Sequence, residues 1–134
     1  MSSKENKREI VAYSGQCFTI EWYYNEKRES PALEYFLQLS DDRQDKLFTL
    51  LKRLGEIGKI FDETKFRNEG DKIFAFKPHP DRYLCFFFSG RKIIITNAFE
   101  KKTQKLPKGE KEVALKAKVS YESLVKGKKY YEKL

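Results

Sequence analysis

Three runs decide the fold: Ile73-Phe-Ala-Phe-Lys77, Tyr83-Leu-Cys-Phe-Phe-Phe88 and Lys92-Ile-Ile-Ile-Thr-Asn-Ala-Phe99. Each is short and dense in aromatic and β-branched residues, which fit a pleated surface better than a helix. The links between them, Pro78-His79-Pro80-Asp81 and Ser89-Gly90-Arg91, carry turn chemistry. The three runs therefore predict an antiparallel meander.

Upstream, Cys17 to Tyr24 has the same aromatic and β-branched character and is expected as the first strand. Ser30-Pro31 then opens a short helix to about Leu39, because a Ser side chain can cap free amides and Pro is preset for the first helical position. Ser40-Asp41-Asp42 restarts the pattern. Leu47, Phe48, Leu50, Leu51, Leu54 and Ile57 recur at helical spacing up to Gly58, a natural C-terminal stop. Two helices so closely linked predict an antiparallel helical hairpin laid on the sheet. Asp62 to Asp71 reads as a polar connector. Past Thr103 the chain turns basic, and Pro107, Glu110, Val113, Ala114 and Ala117 predict a last amphipathic helix ending near Gly127 or beyond. The expectation is an α+β fold with an antiparallel sheet in the order β-α-α-β-β-β-α. The helical hairpin packs on one face, and a basic helix follows at the C-terminus.

The chain has 134 residues, with 11 Phe and 8 Tyr, enough bulk for one domain with a real core. Residues 1–16 are expected as a flexible arm, 17–121 as the domain and 122–134 as a basic tail or helix extension. The longest apolar run, Tyr83 to Phe88, is far too short to span a membrane. The charged N-terminus lacks the features of a secretory signal, so a cytoplasmic location is expected. Cys17 and Cys85 are expected as buried thiols, and no metal site is expected. Residues 91–134 hold thirteen basic and five acidic residues, which accounts for the whole formal charge of +8. Such a field attracts polyanions, and nucleic acid is one class among several.

The stretch Phe74 to Phe88 followed by Ile93 to Pro107 resembles the RelE/ParE toxin superfamily, and within it the phage-derived, HigB-like branch. The specific element is Lys101-Lys-Thr-Gln-Lys-Leu-Pro107, reached from the last strand through Phe99. Ser30-Pro-Ala-Leu-Glu-Tyr-Phe36 is similar to that branch's first helix. The resemblance implies a RelE-like fold and the toxin of a type II toxin-antitoxin pair. Its activity would be that of a ribosome-dependent endoribonuclease cutting mRNA at the A site, without a cofactor or small-molecule ligand. Its partners would be the ribosome, mRNA and a helix-turn-helix antitoxin, with no membrane. Alternatives within the resemblance are a gyrase inhibitor like the ParE side and a degenerate module that only binds nucleic acid or protein. Ala75, where many relatives carry Glu or Lys, speaks for the last of these.

Carried over by position, Lys77, Arg82, Lys101 and Lys102 are the candidate catalytic residues. His79, the single histidine, is a further candidate, although a solvent-facing turn residue is the preferred reading. Attack by a ribose 2′-hydroxyl requires a proton acceptor, stabilisation of the phosphorane and protonation of the leaving oxygen. Crowding can fit lysine for proton transfer by lowering its pKa. Arg91, Lys105, Lys108 and Lys111 are expected to face RNA phosphates. Phe86, Phe87, Phe88 and Tyr83 are expected in the core rather than stacked on bases. For Tyr121, Tyr130 and Tyr131, packing and stacking both stand.

Overall fold

The structure, a computed structural model, describes residues 9–134. Six strands form one sheet in the order β1-β2-β6-β5-β4-β3: β1 (Val11–Ser14), β2 (Thr19–Trp22), β3 (Phe66–Asn68), β4 (Phe74–Phe76), β5 (Asp81–Phe88) and β6 (Lys92–Glu100). The helices are α1 (Pro31–Leu37), α2 (Asp41–Ile57) and α3 (Lys108–Lys126), with a closing 3₁₀ turn at Tyr131–Lys133. The α+β class and the meander are as expected, but the sheet is mixed rather than antiparallel, because β2 and β6 run parallel. The helical hairpin carries the chain from β2 to the far edge of the sheet. The antiparallel pairs β3–β4, β4–β5 and β5–β6 then bring β6 back beside β2 in the same direction.

Two strands lie where none was expected. β1 falls within the expected arm, pairing Val11 with Glu21 and Ser14 with Thr19; residues 1–8 of that arm lie outside the described residues. Gly15 lets this hairpin touch α2, since a Cβ there would lie 2.3 Å from the Gly55 carbonyl oxygen. That oxygen accepts from the Cys17 and Phe18 amides at 2.7 and 3.1 Å. β3 falls within the expected polar connector. There Phe66 is buried and pairs with Phe76, while Arg67 and Asn68 stay exposed.

The helix ends follow local chemistry. Ser40 Oγ accepts from the Arg43 amide at 3.4 Å, and Gly58 closes α2 at φ +88°, its amide donating to the Leu54 carbonyl. Ser30 does occupy the cap position of α1, but its hydroxyl makes no capping bond and is buried without a hydrogen-bond partner among the described residues.

Both faces of the sheet are covered. Ile20, Trp22, Phe76, Tyr83, Cys85, Ile93 and Ile95 pack with Leu47, Leu51 and Leu54 beneath α1 and α2. The intervening residues Ile73, Ala75, Leu84, Phe86 and Ile94 pack with Ala114, Ala117, Tyr121 and Tyr130 beneath α3 and the C-terminal turn. Burial on both sides explains why β5 is apolar at consecutive rather than alternate positions. Residues 122–134 are accordingly no free tail. Tyr130 is buried and its hydroxyl accepts from the Tyr24 amide, while the Tyr131 hydroxyl donates to Glu21. Cys85 is buried, which pushes its thiol pKa up, whereas Cys17 is only half-buried; both are free. Phe86 is core, but Phe87 is exposed at the edge of its aromatic cluster.

One irregularity redirects the end of β6. In the β5–β6 ladder Leu84 pairs with Asn97 and Cys85 with Ile95, so Thr96 is an extra residue. This bulge reverses the alternation of β6. Ile93 and Ile95 face α2, whereas Asn97 reaches α3, donating to the Glu110 carbonyl and carboxylate at 3.1 and 3.0 Å, and Phe99 packs on the α3 side.

A candidate phosphate-binding cleft at the sheet end

On the α3 side of the sheet a row of side chains crosses three strands. Phe76 pairs with Tyr83, so Lys77, next after β4, falls opposite Arg82, and Arg82 pairs with Phe99. One strand further out, Arg67 lies on β3 opposite Ala75, two residues along from the Lys77 position, and Glu69 begins the β3–β4 turn. The segment from Lys101 to Pro107, leading into α3, closes over this row. Together they line a small cleft of about 90 Å³ containing Arg67, Lys77, Arg82, Lys101, Lys102 and Lys105, with Glu69 as its carboxylate.

The cleft is framed by backbone and by a buried carboxylate. The Lys101 amide donates to the Pro80 carbonyl at 2.7 Å, tying the exit of β6 to the turn before Arg82. Asp81 is fully buried on the opposite face. It forms an ion pair with Arg43 and accepts hydrogen bonds from Arg43 Nε at 3.0 Å and from the Tyr35 hydroxyl. Because Asp81 points toward α1 and α2, strand alternation sends Arg82 the other way, into the cleft.

Crowding sets the electrostatics. Burial first, and the Arg82 cation second, hold the Lys77 pKa below the ordinary lysine value; Arg67 and Lys101 act in the same sense and Glu69 opposes them. Burial likewise lowers Arg82, with Glu69 and Asp81 opposing. Lys77 Nζ donates to the Glu63 carbonyl at 3.1 Å, and Arg82 donates to the Asp81 carbonyl at 3.1 Å. A lysine whose pKa is lowered by burial and by neighbouring cations releases a proton more readily than a free one, and the surrounding cations can stabilise an oxyanion.

Of the residues singled out from sequence, Lys77, Arg82, Lys101, Lys102 and Lys105 meet in this cleft. His79 does not. It is exposed and lines a separate concavity on the α2 side with Lys46, Arg53 and Lys65, because the Pro78–Pro80 turn carries it across the sheet edge. Arg91 sits in the β5–β6 turn at the opposite end of those strands. Lys108 is exposed at the start of α3 and does not line the cleft. Lys111 is engaged elsewhere, in a 2.8 Å ion pair with Asp71 that clamps the β3–β4 turn to α3. Ala75 is fully buried in the core under α3. Arg67 and Glu69 were not anticipated, because Lys65-Phe66-Arg67-Asn68 before Gly70-Asp71 holds a single apolar residue, too little for a strand pattern to show.

The fold and cleft define an α+β protein with a small cationic site at one end of a mixed sheet. Among the described residues, no helix is long and apolar enough to cross a membrane. The model of the family described as phage-derived protein Gp49-like (DUF891) matches residues 34–119, about two thirds of the chain and the whole of the cleft. The chain belongs to this family. No curated protein matches it.

Proposed function

We propose that this Gp49-like protein is the toxin of a toxin-antitoxin pair, acting in the cytoplasm as an endoribonuclease that cuts mRNA in the ribosomal A site. The single observation that supports this reading is the convergence of Lys77, Arg82, Lys101 and Lys102, the positions implicated by resemblance to RelE/ParE toxins, on one cleft. Arg67, Arg82 and the Lys101–Lys102 pair would hold the scissile phosphate and spread its charge as the 2′-oxygen attacks. Lys77, with its lowered pKa, suits the proton donor to the leaving 5′-oxygen. The partners in this reading are the ribosome, mRNA and a helix-turn-helix antitoxin, and protein side chains carry the chemistry.

The test is a purified translation reaction with and without ribosomes, read by primer extension on the programmed mRNA. Cuts at A-site codons that require ribosomes are expected, with Lys77→Ala and Arg82→Ala folded but inactive. Intact mRNA alongside normal translation would refute the reading and favour a gyrase-directed or purely binding role.

A further inference from the structure

Six cations line the cleft, and one carboxylate stands among them. In a site that only gripped phosphate, Glu69 would be a liability, since it repels the anion its neighbours attract. An ion pair does not account for it. Its turn neighbour Asp71 is paired with Lys111 and Asp81 with Arg43, but among the described residues Glu69 forms no ion pair. Nor is it a loose surface group. Its amide donates to the Ile73 carbonyl at 2.8 Å, Ile73 returns a bond to Gly70 at 3.0 Å, and the Gly70 amide is held by Asn68 Oδ1 at 2.9 Å. The Lys111–Asp71 clamp then fixes the turn against α3. Glu69 is half-buried, its backbone is fixed in the turn, and its carboxylate lines the cleft beside the cations without an ion pair among the described residues, so it is placed to accept a proton from a hydroxyl next to a phosphate bound there. Lys77, whose amine donates to the Glu63 carbonyl and whose pKa is lowered by burial and by Arg82, fits the complementary role of proton donor to the leaving oxygen.

Resting on the ribonuclease reading, we propose that Glu69 is the general base. Glu69 takes the proton of the ribose 2′-hydroxyl as that oxygen bonds to phosphorus. The P–O5′ bond breaks, and the departing 5′-oxygen takes a proton from the Lys77 ammonium. The products are a 2′,3′-cyclic phosphate and a 5′-hydroxyl, and proton exchange with water returns both side chains to their starting forms.

Wild type, Glu69→Gln and Glu69→Asp are compared in single-turnover cleavage of ribosome-programmed mRNA across pH, and in binding to a short RNA carrying a 2′-deoxy nucleotide at the cut site. Glu69→Gln is expected to cut at least about 100-fold more slowly, the scale of general base catalysis, and to bind the 2′-deoxy RNA as tightly as wild type or more tightly. The acid limb of the wild-type pH profile should vanish in Glu69→Gln and survive in Glu69→Asp. Cleavage by Glu69→Gln within about threefold of wild type, or parallel loss of cleavage and binding, would overturn the assignment. Wild type that leaves mRNA uncut would instead remove the ribonuclease reading, and the assignment with it.

Discussion

Replacing Arg82 by alanine should change how RNA binding responds to salt, not merely how tight it is. Binding of a single strand loses affinity with salt at a logarithmic slope of about −0.7 for each phosphate neutralised. The cleft offers a floor of Arg67, Lys77 and Arg82 and a covering segment bearing Lys101, Lys102 and Lys105. For a strand engaging about three phosphates there, raising salt from about 50 to 200 mM weakens binding roughly 18-fold. With one contact removed, the same change weakens it roughly 7-fold. Arg91→Ala is the control. Arg91 lies beyond the far end of β5, and the six steps along the strand from Arg82 to Phe88 cover roughly 20 Å at strand rise. That exceeds the screening length, which falls from about 14 to about 7 Å over this range of ionic strength. Fluorescence anisotropy of a labelled short RNA with a 2′-deoxy nucleotide at the cut site reads both slopes. A smaller slope in Arg82→Ala with an unchanged slope in Arg91→Ala is expected. Equal losses in the two variants would mean that RNA senses the overall positive charge rather than the cleft.

Two further predictions concern folding. Lys77 has a pKa below 10.5 in the folded protein, so between that depressed value and 10.5 the unfolded chain binds more protons and the residue's contribution to stability rises with pH. Lys77→Met should therefore be more stable than wild type at pH 7, with an advantage that shrinks toward pH 10.5; urea titrations showing a pH-independent difference would contradict this. Gly15→Ala should cost about 3 kcal/mol, at the upper end of overpacking penalties, because its Cβ meets the Gly55 backbone at 2.3 Å. A midpoint shift in denaturant too small for 1 kcal/mol would show that the β1–β2 hairpin lifts off α2 at little cost.

The elements legible in the sequence are those specified by neighbours along the chain. The cap at Ser40, the stop at Gly58 and the leucine spacing between them define α2 within 17 residues. The turn chemistry at 78–81 and 89–91 likewise announces the meander. The elements that escaped are short and exist through distant partners. β1 has four residues and β3 has three, too few for a period-two pattern to stand out. Each becomes a strand because a neighbouring edge offers unpaired amides and carbonyls. The candidate site divides in the same way. Lys77 and Arg82 flank one turn and were legible together. Arg67 and Glu69 come from β3 and the turn after it, and their membership depends on the β3–β4 pairing.

By itself, the sequence determined the three helices, four of the six strands and the gathering of positive charge in the last third, while resemblance to a known family singled out Lys77, Arg82 and the Lys101–Lys102 pair. The elements and the charge distribution rest on local backbone preference, side-chain size and charge count, and the site residues on the resemblance. The tertiary structure alone decided the parallel pairing of β2 with β6, the burial of both sheet faces and the contents of the cleft. The bulge at Thr96 shows the physical reason. One extra residue reverses the alternation of β6, puts Phe99 beside Arg82 on the α3 side and leads Lys101 to Pro107 over the cleft. Which strand absorbs that residue is set by the partner across the ladder, where Thr96 Oγ1 bonds the Leu84 carbonyl at 3.2 Å and Asn97 anchors α3.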